Sequence, residues 1–224
     1  MSLSGRAVAE FVGTALLVAI VIGSGIMAET LTSDVGVSLL LNQLATVLGL
    51  GVLIAVLMPI SGAHINPAVS LAILLRQEIS AGEAAVYVMA QFLGAMGGVA
   101  LAHVMFGRAV LEISGNDRLT TGTFVGEIVA TAGLIAMILL LVQRGSSSVI
   151  PLVVPAWIGA GYVFTSSTSF ANPAVTLGRM FTDSFAGISP LSGLGFMAAQ
   201  LVGIAVALAL VIPVITASKE KSDD

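Results

Sequence analysis

Apolar positions fall into six long blocks, near residues 7–28, 38–58, 84–106, 123–143, 149–165 and 191–213, with short polar breaks between them. As helices these blocks are long enough to cross a hydrocarbon layer of about 30 Å, the fifth only just. The pattern predicts an all-α membrane protein with six spans. The first block has no small-residue cleavage site followed by a polar mature domain, so it reads as a retained helix and not a signal peptide.

The polar residues inside this pattern repeat. "AEFVGTALL" at 9–17 answers "GEIVATAGL" at 126–134, pairing Glu10 with Glu127. "HINPAVSL" at 64–71 answers "FANPAVTL" at 170–177, and "MAQFLGA" at 89–95 answers "MAAQLVG" at 197–203, pairing Gln91 with Gln200. Two copies, near 6–106 and 123–213, therefore make one transmembrane domain over 1–224. Each copy holds an odd number of spans, so the second enters the membrane from the opposite face. Such inverted repeats place their functional site at the midplane where the halves meet.

Each Asn-Pro-Ala reads as a helix start. Asn66 and Asn172 are good N-caps, Pro67 and Pro173 suit the first helical position, and Ala68 and Ala174 continue it. The apolar runs that follow, 67–75 and 173–182, are each roughly 14 Å long at the α-helical rise, half a hydrocarbon thickness. Their non-helical approaches can sit at membrane depth only if buried in protein or lining a water-filled cavity. Carbonyls of Gly62, Ala63 and His64, and of Ser167, Thr168 and Ser169, would then form a ladder of acceptors. The two half-helix starts would meet with their positive ends together and turn cations away.

Composition narrows the class. The 224 residues are 57% hydrophobic and 9% charged, against about a quarter charged in soluble domains. There is no cysteine, which removes disulfides and thiol chemistry. The net charge of −4 comes mostly from loops and the "KEKSDD" tail, and nothing points to nucleic acid. Arg6, Arg76, Arg144, Lys219 and Lys221 gather on the side of the termini, against Arg108, Arg118 and Arg179 on the other. This bias predicts a multi-pass protein of the inner cell membrane with cytoplasmic termini. No nucleophile–base pair or metal-ligand cluster appears, so neither an enzyme nor a cofactor is expected. An ion-coupled transporter is the rival reading, weakened by the lack of charges deep in the spans beyond the two glutamates.

The paired "GAHINPAV" and "FANPAVT", the "AEFVGT" opening and the Gln-bearing helices resemble the major intrinsic proteins, the aquaporins and aquaglyceroporins, over residues 6–213. The resemblance implies six spans plus two re-entrant half-helices, one pore per subunit, a homotetramer, and passive passage of small neutral solutes. It also implies an outer constriction, which gap-free counting from the motifs places at Thr46, Ala160, Ser169 and Val175. Water-selective relatives carry Phe, His and Arg at three of those positions. Their replacement by Thr, Ala and Val implies a wider, uncharged constriction and a bulkier cargo, glycerol or a metalloid hydroxide such as arsenous acid. The Val, with "VIGSGIMAE" and "TSFANPAVT", is most similar to bacterial aquaglyceroporins associated with arsenic resistance; a water-selective aquaporin is the alternative. Exclusion of cations by an Arg or by half-helix ends is the general behaviour of aquaporin-type pores.

Single residues are expected as follows. Arg179 can reach back one turn to charge the mouth, but snorkelling at the outer surface is the preferred reading. Glu10 and Glu127 hold the re-entrant backbones. His64 braces its loop and only its carbonyl meets the path, while His103 has no assigned partner. Trp157 and Tyr162 are packing or interfacial anchors. Glycines 94, 97, 98, 195 and 203 mark close helix crossings. Ser169 stands where some relatives carry Cys.

Overall fold

A computed structural model describes residues 1–220. Lys221 and the acidic end of the tail lie outside the described residues, as does the side chain of Lys219. Eight α-helices follow one another: α1 (Leu3–Leu31), α2 (Val35–Ser61), α3 (Pro67–Leu75), α4 (Ala81–Met105), α5 (Thr121–Gln143), α6 (Ile150–Phe164), α7 (Pro173–Arg179) and α8 (Pro190–Glu220). Six are long and apolar enough to span a membrane, and α3 and α7 are the half-length pieces. The blocks read from sequence thus correspond to spans, most of which begin a few residues earlier; α6 instead falls just inside its block and reaches span length with the 3₁₀ turn at Ser147–Val149.

The added turns are built by caps. The side chains of Ser2, Asp34, Ser80 and Thr120 each accept an amide from the first turn of α1, α2, α4 and α5. Ser80 and Glu83 form a reciprocal capping box. At its other end α2 stops on Gly62, whose φ of 87° turns the chain out of the helix. The second half-helix is shorter than the 173–182 expected. The amides of Met180 and Phe181 make tight i→i+3 bonds, and their carbonyls are taken by Ser114 N–H and Glu112 N–H from the loop between the repeats.

The two halves make the same contacts. Helix α1 packs on α2 and α4 as α5 packs on α6 and α8, while α2 meets α6 and α3 meets α7 across the centre. Helix α1 crosses α4 at backbone contact distance: a Cβ at Gly94 would lie 2.4 Å from Phe11 O, and one at Gly98 2.3 Å from Ala15 O. Gly203 plays the same part between α8 and α5, with Ile128 O at 2.9 Å. Gly97 does not belong to this set, since a Cβ there would meet only the Phe11 ring edge at 3.6 Å. Gly195 instead gives room to the Leu119 side chain. Helix α2 carries an exposed stripe of Leu40, Leu44, Leu48, Val52 and Val56. A second stripe, Thr46, Leu50, Ile54 and Met58, faces inward.

Candidate functional site: a lumen between two re-entrant loops

Between α2 and α3, and between α6 and α7, the chain enters the protein interior without helical bonds. Ala63 and Ile65 in the first loop have φ of 49° and 39°, and Ser169 and Ala171 in the second have 52° and 47°. Left-handed backbone at non-glycine residues costs energy and persists only where surroundings impose it. The imposing groups are the two buried glutamates. Glu10 accepts from His64 N–H at 3.0 Å, Ile65 N–H at 2.5 Å, Ser61 Oγ at 2.6 Å and Gln91 Nε2 at 2.8 Å. Glu127 accepts from Phe170 N–H at 2.8 Å, Ala171 N–H at 2.9 Å and Gln200 Nε2 at 2.6 Å. Each glutamine also donates to a hydroxyl one turn into the half-helix, Ser70 for Gln91 and Thr176 for Gln200. Sequence reading missed that hydroxyl pair, although "NPAVS" and "NPAVT" carry it in register.

The two asparagines join the halves. Asn66 Oδ1 accepts from Ala68 N–H, and Asn172 Oδ1 from Ala174 and Val175 N–H. Asn66 Nδ2 donates to Ala171 O at 2.8 Å, and Asn172 Nδ2 donates to Ile65 O at 2.9 Å. An amide group has two hydrogens, so one on each Asn remains for the lumen that both line. Pro67, Ala68, Pro173 and Ala174 are buried behind them and line nothing; they start the helices.

A cavity of about 350 Å³ runs from Glu78 and Ser147 at one end, past both asparagines, to Thr46, Tyr162, Ser169, Val175 and Arg179 at the other. One wall is backbone and amide; the facing wall is aliphatic, with Leu17, Val21, Leu134 and Ile138 from α1 and α5. Helix α6 contributes Ile150, Val154, Ile158 and Tyr162 at four-residue spacing, the counterpart of the inward stripe of α2. Helix α3 contributes Val69 and Ile73, where α7 contributes Val175 and Arg179.

This geometry corrects several expectations. Ala160 is exposed, in an outer groove with Leu40, Gln43 and Leu44. At 100° per residue it stands on the face opposite Ile158 and Tyr162, so gap-free counting chose the wrong side of α6. The lumen residue is Tyr162, whose hydroxyl donates to Thr46 Oγ1 at 3.2 Å; it is no interfacial anchor. Arg179 is only 3% exposed and does not snorkel to the outer surface. Gly62, Ala63 and His64 line the cavity, but Ser167 and Thr168 do not. Thr168 N–H turns back to Thr165 O, and the wall begins only at Ser169. The Ser169 hydroxyl is buried and unpartnered, packed where a Cβ on Gly161 would be 2.5 Å away.

His64 lines the lumen with more than its carbonyl, its Nδ1 lying 3.0 Å from Ser70 Oγ and its ring edge-on to Tyr87. His103, which had no expected partner, is fully buried between Ala109 O at 2.6 Å and Thr182 Oγ1 at 2.9 Å. Trp157 donates to Ala130 O and packs on Gly133, between α5 and α6. On the outer side Arg118 donates to Phe185 O and Gly187 O, and burial lowers it from the ordinary arginine value.

Comparison with known proteins agrees with this architecture. The family model described as "Major intrinsic protein" matches residues 1–169. The chain is 48% identical over 208 residues to aquaglyceroporin AqpS of Rhizobium meliloti (strain 1021), covering 93% of this chain and 89% of that one. It is 30% identical over 225 residues to a glycerol uptake facilitator protein of Pseudomonas aeruginosa, covering 87% and 79%. The crystal structure of the aquaglyceroporin from Plasmodium falciparum superposes with a TM-score of 0.70 at 26% identity, covering 96% of this chain and 99% of that one. With its inverted repeat, two half-helices and central lumen, the chain belongs to the major intrinsic protein family and is a membrane channel for small neutral solutes, not an enzyme.

Proposed function

We propose that this channel passes glycerol-sized polyols and metalloid hydroxides such as arsenous acid, down whatever gradient the cell presents. The observation that carries the reading is the two-sided lumen. Carbonyls and one free hydrogen from each of Asn66 and Asn172 lie along one wall, and aliphatic side chains along the other. A solute with hydroxyls on one side and carbon, or a bare metalloid lone pair, on the other keeps its hydrogen bonds while losing its water. The names of the relatives above, an aquaglyceroporin and a glycerol uptake facilitator, point the same way.

The whole of 1–224 acts as one channel domain, with Thr46, Tyr162, Ser169 and Val175 around its outer constriction. Both termini are cytoplasmic, in the inner membrane: Arg6, Arg76 and Arg144 gather at that end. The arginines at the other end are engaged within the protein, Arg108 on Glu112, Arg118 on loop carbonyls and Arg179 in the lumen wall. The exposed aliphatic stripe of α2 suits packing in a homotetramer as well as lipid. A second reading, a water-selective pore, is favoured by one observation: Tyr162 and Arg179 make the constriction narrower and more polar than Ala160 and Val175 alone imply.

Stopped-flow light scattering on proteoliposomes separates the two. A water-only osmotic step is compared with inward iso-osmotic gradients of glycerol and arsenous acid. Rapid solute-driven swelling is expected. Rapid water flow without solute entry would replace the polyol reading with the water-selective one.

A further inference from the structure

We infer that Arg179, acting from one turn beyond Val175, is the specificity-determining cation of the outer constriction, its guanidinium held on the Phe170 ring so that both terminal amino groups face the passing solute. The inference rests on the reading of this lumen as the conduction path, but not on which neutral solute it carries.

Four observations support it. Position 179 faces the lumen by construction. Helix α3 puts Val69 and Ile73 into the wall, and α7 puts Val175 and Arg179 there with the same four-residue spacing. The head group also lies deeper than its backbone. Helical side chains lean toward the N-terminus, and the guanidinium carbon sits 3.4 Å from the centre of the Phe170 ring, two residues before Asn172. That brings the charge back to the level of Ser169 and Tyr162.

Orientation is fixed from one side only. Arg179 Nε donates to Ala186 O, on a loop whose neighbouring carbonyls, Phe185 O and Gly187 O, are held by Arg118. Phe170 is itself seated edge-on against Phe196, with ring centres 5.0 Å apart. The terminal amino groups have no protein hydrogen bond, and they are not sealed from the cavity. Finally, the charge has no ion-pair partner. The ion pairs among the described residues are Arg6–Glu83, Arg76–Glu78 and Arg108–Glu112, so no carboxylate forms an ion pair with Arg179, and Glu127 acts on it only from a distance. An unpaired guanidinium in a confined, weakly screened lumen repels cations and offers two donors to a solute oxygen.

Val175 then has a positive role. A small aliphatic residue one turn below leaves the arginine stem room to lean back, and a second guanidinium there would repel the first. The arginine of this constriction has moved along the helix and has not been lost.

The test uses the full-length protein in proteoliposomes, reading proton and sodium leak beside glycerol and water flux. Arg179→Ala is expected to raise the leak about tenfold or more, the scale on which one sign of charge biases ion entry to a cleft, and to raise the glycerol-to-water ratio. Moving the charge, with Val175→Arg added to Arg179→Ala, should return the leak to the wild-type level. Arg179→Met keeps an unbranched stem of similar bulk without the charge and carries the test if the alanine variant does not assemble. Unchanged leak and unchanged ratio in Arg179→Ala, or in Arg179→Met, would overturn the assignment. Val175→Arg alone should reduce glycerol flux about tenfold by crowding like charges, and normal flux there would also count against it. A wild-type channel that passes no solute would sink the polyol reading, whereas the ion-leak comparison still decides this one.

Discussion

The two ends of the lumen occupy equivalent positions in the repeat and differ in chemistry. At the end that holds Arg179, here the outer end, stand Thr46, Tyr162, Val175 and Arg179; their counterparts toward the opposite end, that of Glu78 and Ser147, are Ile150, Met58, Val69 and Ile73. The scaffolds beneath them share the same backbone and glutamine bonds, with Glu10, Gln91 and Ser70 on one side and Glu127, Gln200 and Thr176 on the other; Glu10 also accepts from Ser61 Oγ. The repeated scaffold thus positions the lumen, and the residues that differ between the copies give its two ends different chemistry. To the amide hydrogens of the two midplane asparagines the outer ring adds hydroxyls and a guanidinium, where its counterparts are aliphatic or thioether side chains.

The largest effect should come from breaking the part that the halves share. Glu127→Ala leaves the amides of Phe170 and Ala171 and the Gln200 amide without their acceptor, in a site with no exposure. Orphaned buried donors cost about 1–3 kcal/mol each, so the protein should lose most of its stable fold in detergent melting. Glu10→Ala should do the same, to a similar extent. A marked inequality between the two would show that the halves are not energetically equivalent despite their matching bonds.

A smaller but more telling effect is expected from making the ends alike. Ile73→Arg installs at the opposite end the residue that the outer end carries in the same place. Glycerol flux should fall by roughly tenfold, because a second unpaired charge adds a desolvation barrier within one lumen. Full flux in an assembled Ile73→Arg channel would mean that position 73 does not narrow the path as its counterpart does.

At the level of backbone packing, Gly98→Val pushes Cβ into the Ala15 carbonyl, 2.3 Å away, and should destabilise by about 1–3 kcal/mol through overpacking. Gly97→Val, on the same helix and one position earlier, meets only a ring edge at 3.6 Å and should change melting little. The pair separates a true crossing point from a glycine that only neighbours one.

The frame was legible in the sequence because it rests on repeats and caps. Asn-Pro-Ala announces a helix start wherever it occurs, and three motif pairs in the same order announce two copies. Glu10 and Glu127 could be assigned as loop holders because a buried carboxylate needs donors and only the re-entrant backbones offered them. The constriction was less legible, since it depends on rotations and reaches that counting does not measure. Whether residue 160 or 162 faces inward turns on the helical phase of α6. The apolar positions Ile150, Val154 and Ile158 already carried that phase at four-residue spacing. Arg179 was found by its spacing from Val175, but its direction was not, because Phe170 and Ala186 O lie in separate loops. Ser167 and Thr168 fall outside the wall because the chain turns there, Thr168 N–H bonding back to Thr165 O, before it reaches the lumen at Ser169.

The smallest predicted effect sharpens the comparison most, because it sets two residues of one helix turn against each other. Ala160 is exposed on the outer face of α6, and Tyr162 is buried against Thr46. Tyr162→Phe removes one hydroxyl from the outer ring and leaves Thr46 Oγ1 without that donor. A neutral hydrogen bond contributes about 1 kcal/mol, so the glycerol-to-water ratio should shift by several-fold and no more. Ala160→Phe adds a large ring, yet it should leave both fluxes unaltered, since the ring points away from the lumen. If Ala160→Phe blocks solute while Tyr162→Phe does nothing, the phase of α6 is wrong, and the outer ring must be redrawn around Ala160. If both are silent, discrimination falls to Arg179 and the polar ring shrinks to a single charge. If only Tyr162→Phe shifts the ratio, the outer end is a composite in which a hydroxyl sets the solute preference and the guanidinium sets the charge barrier.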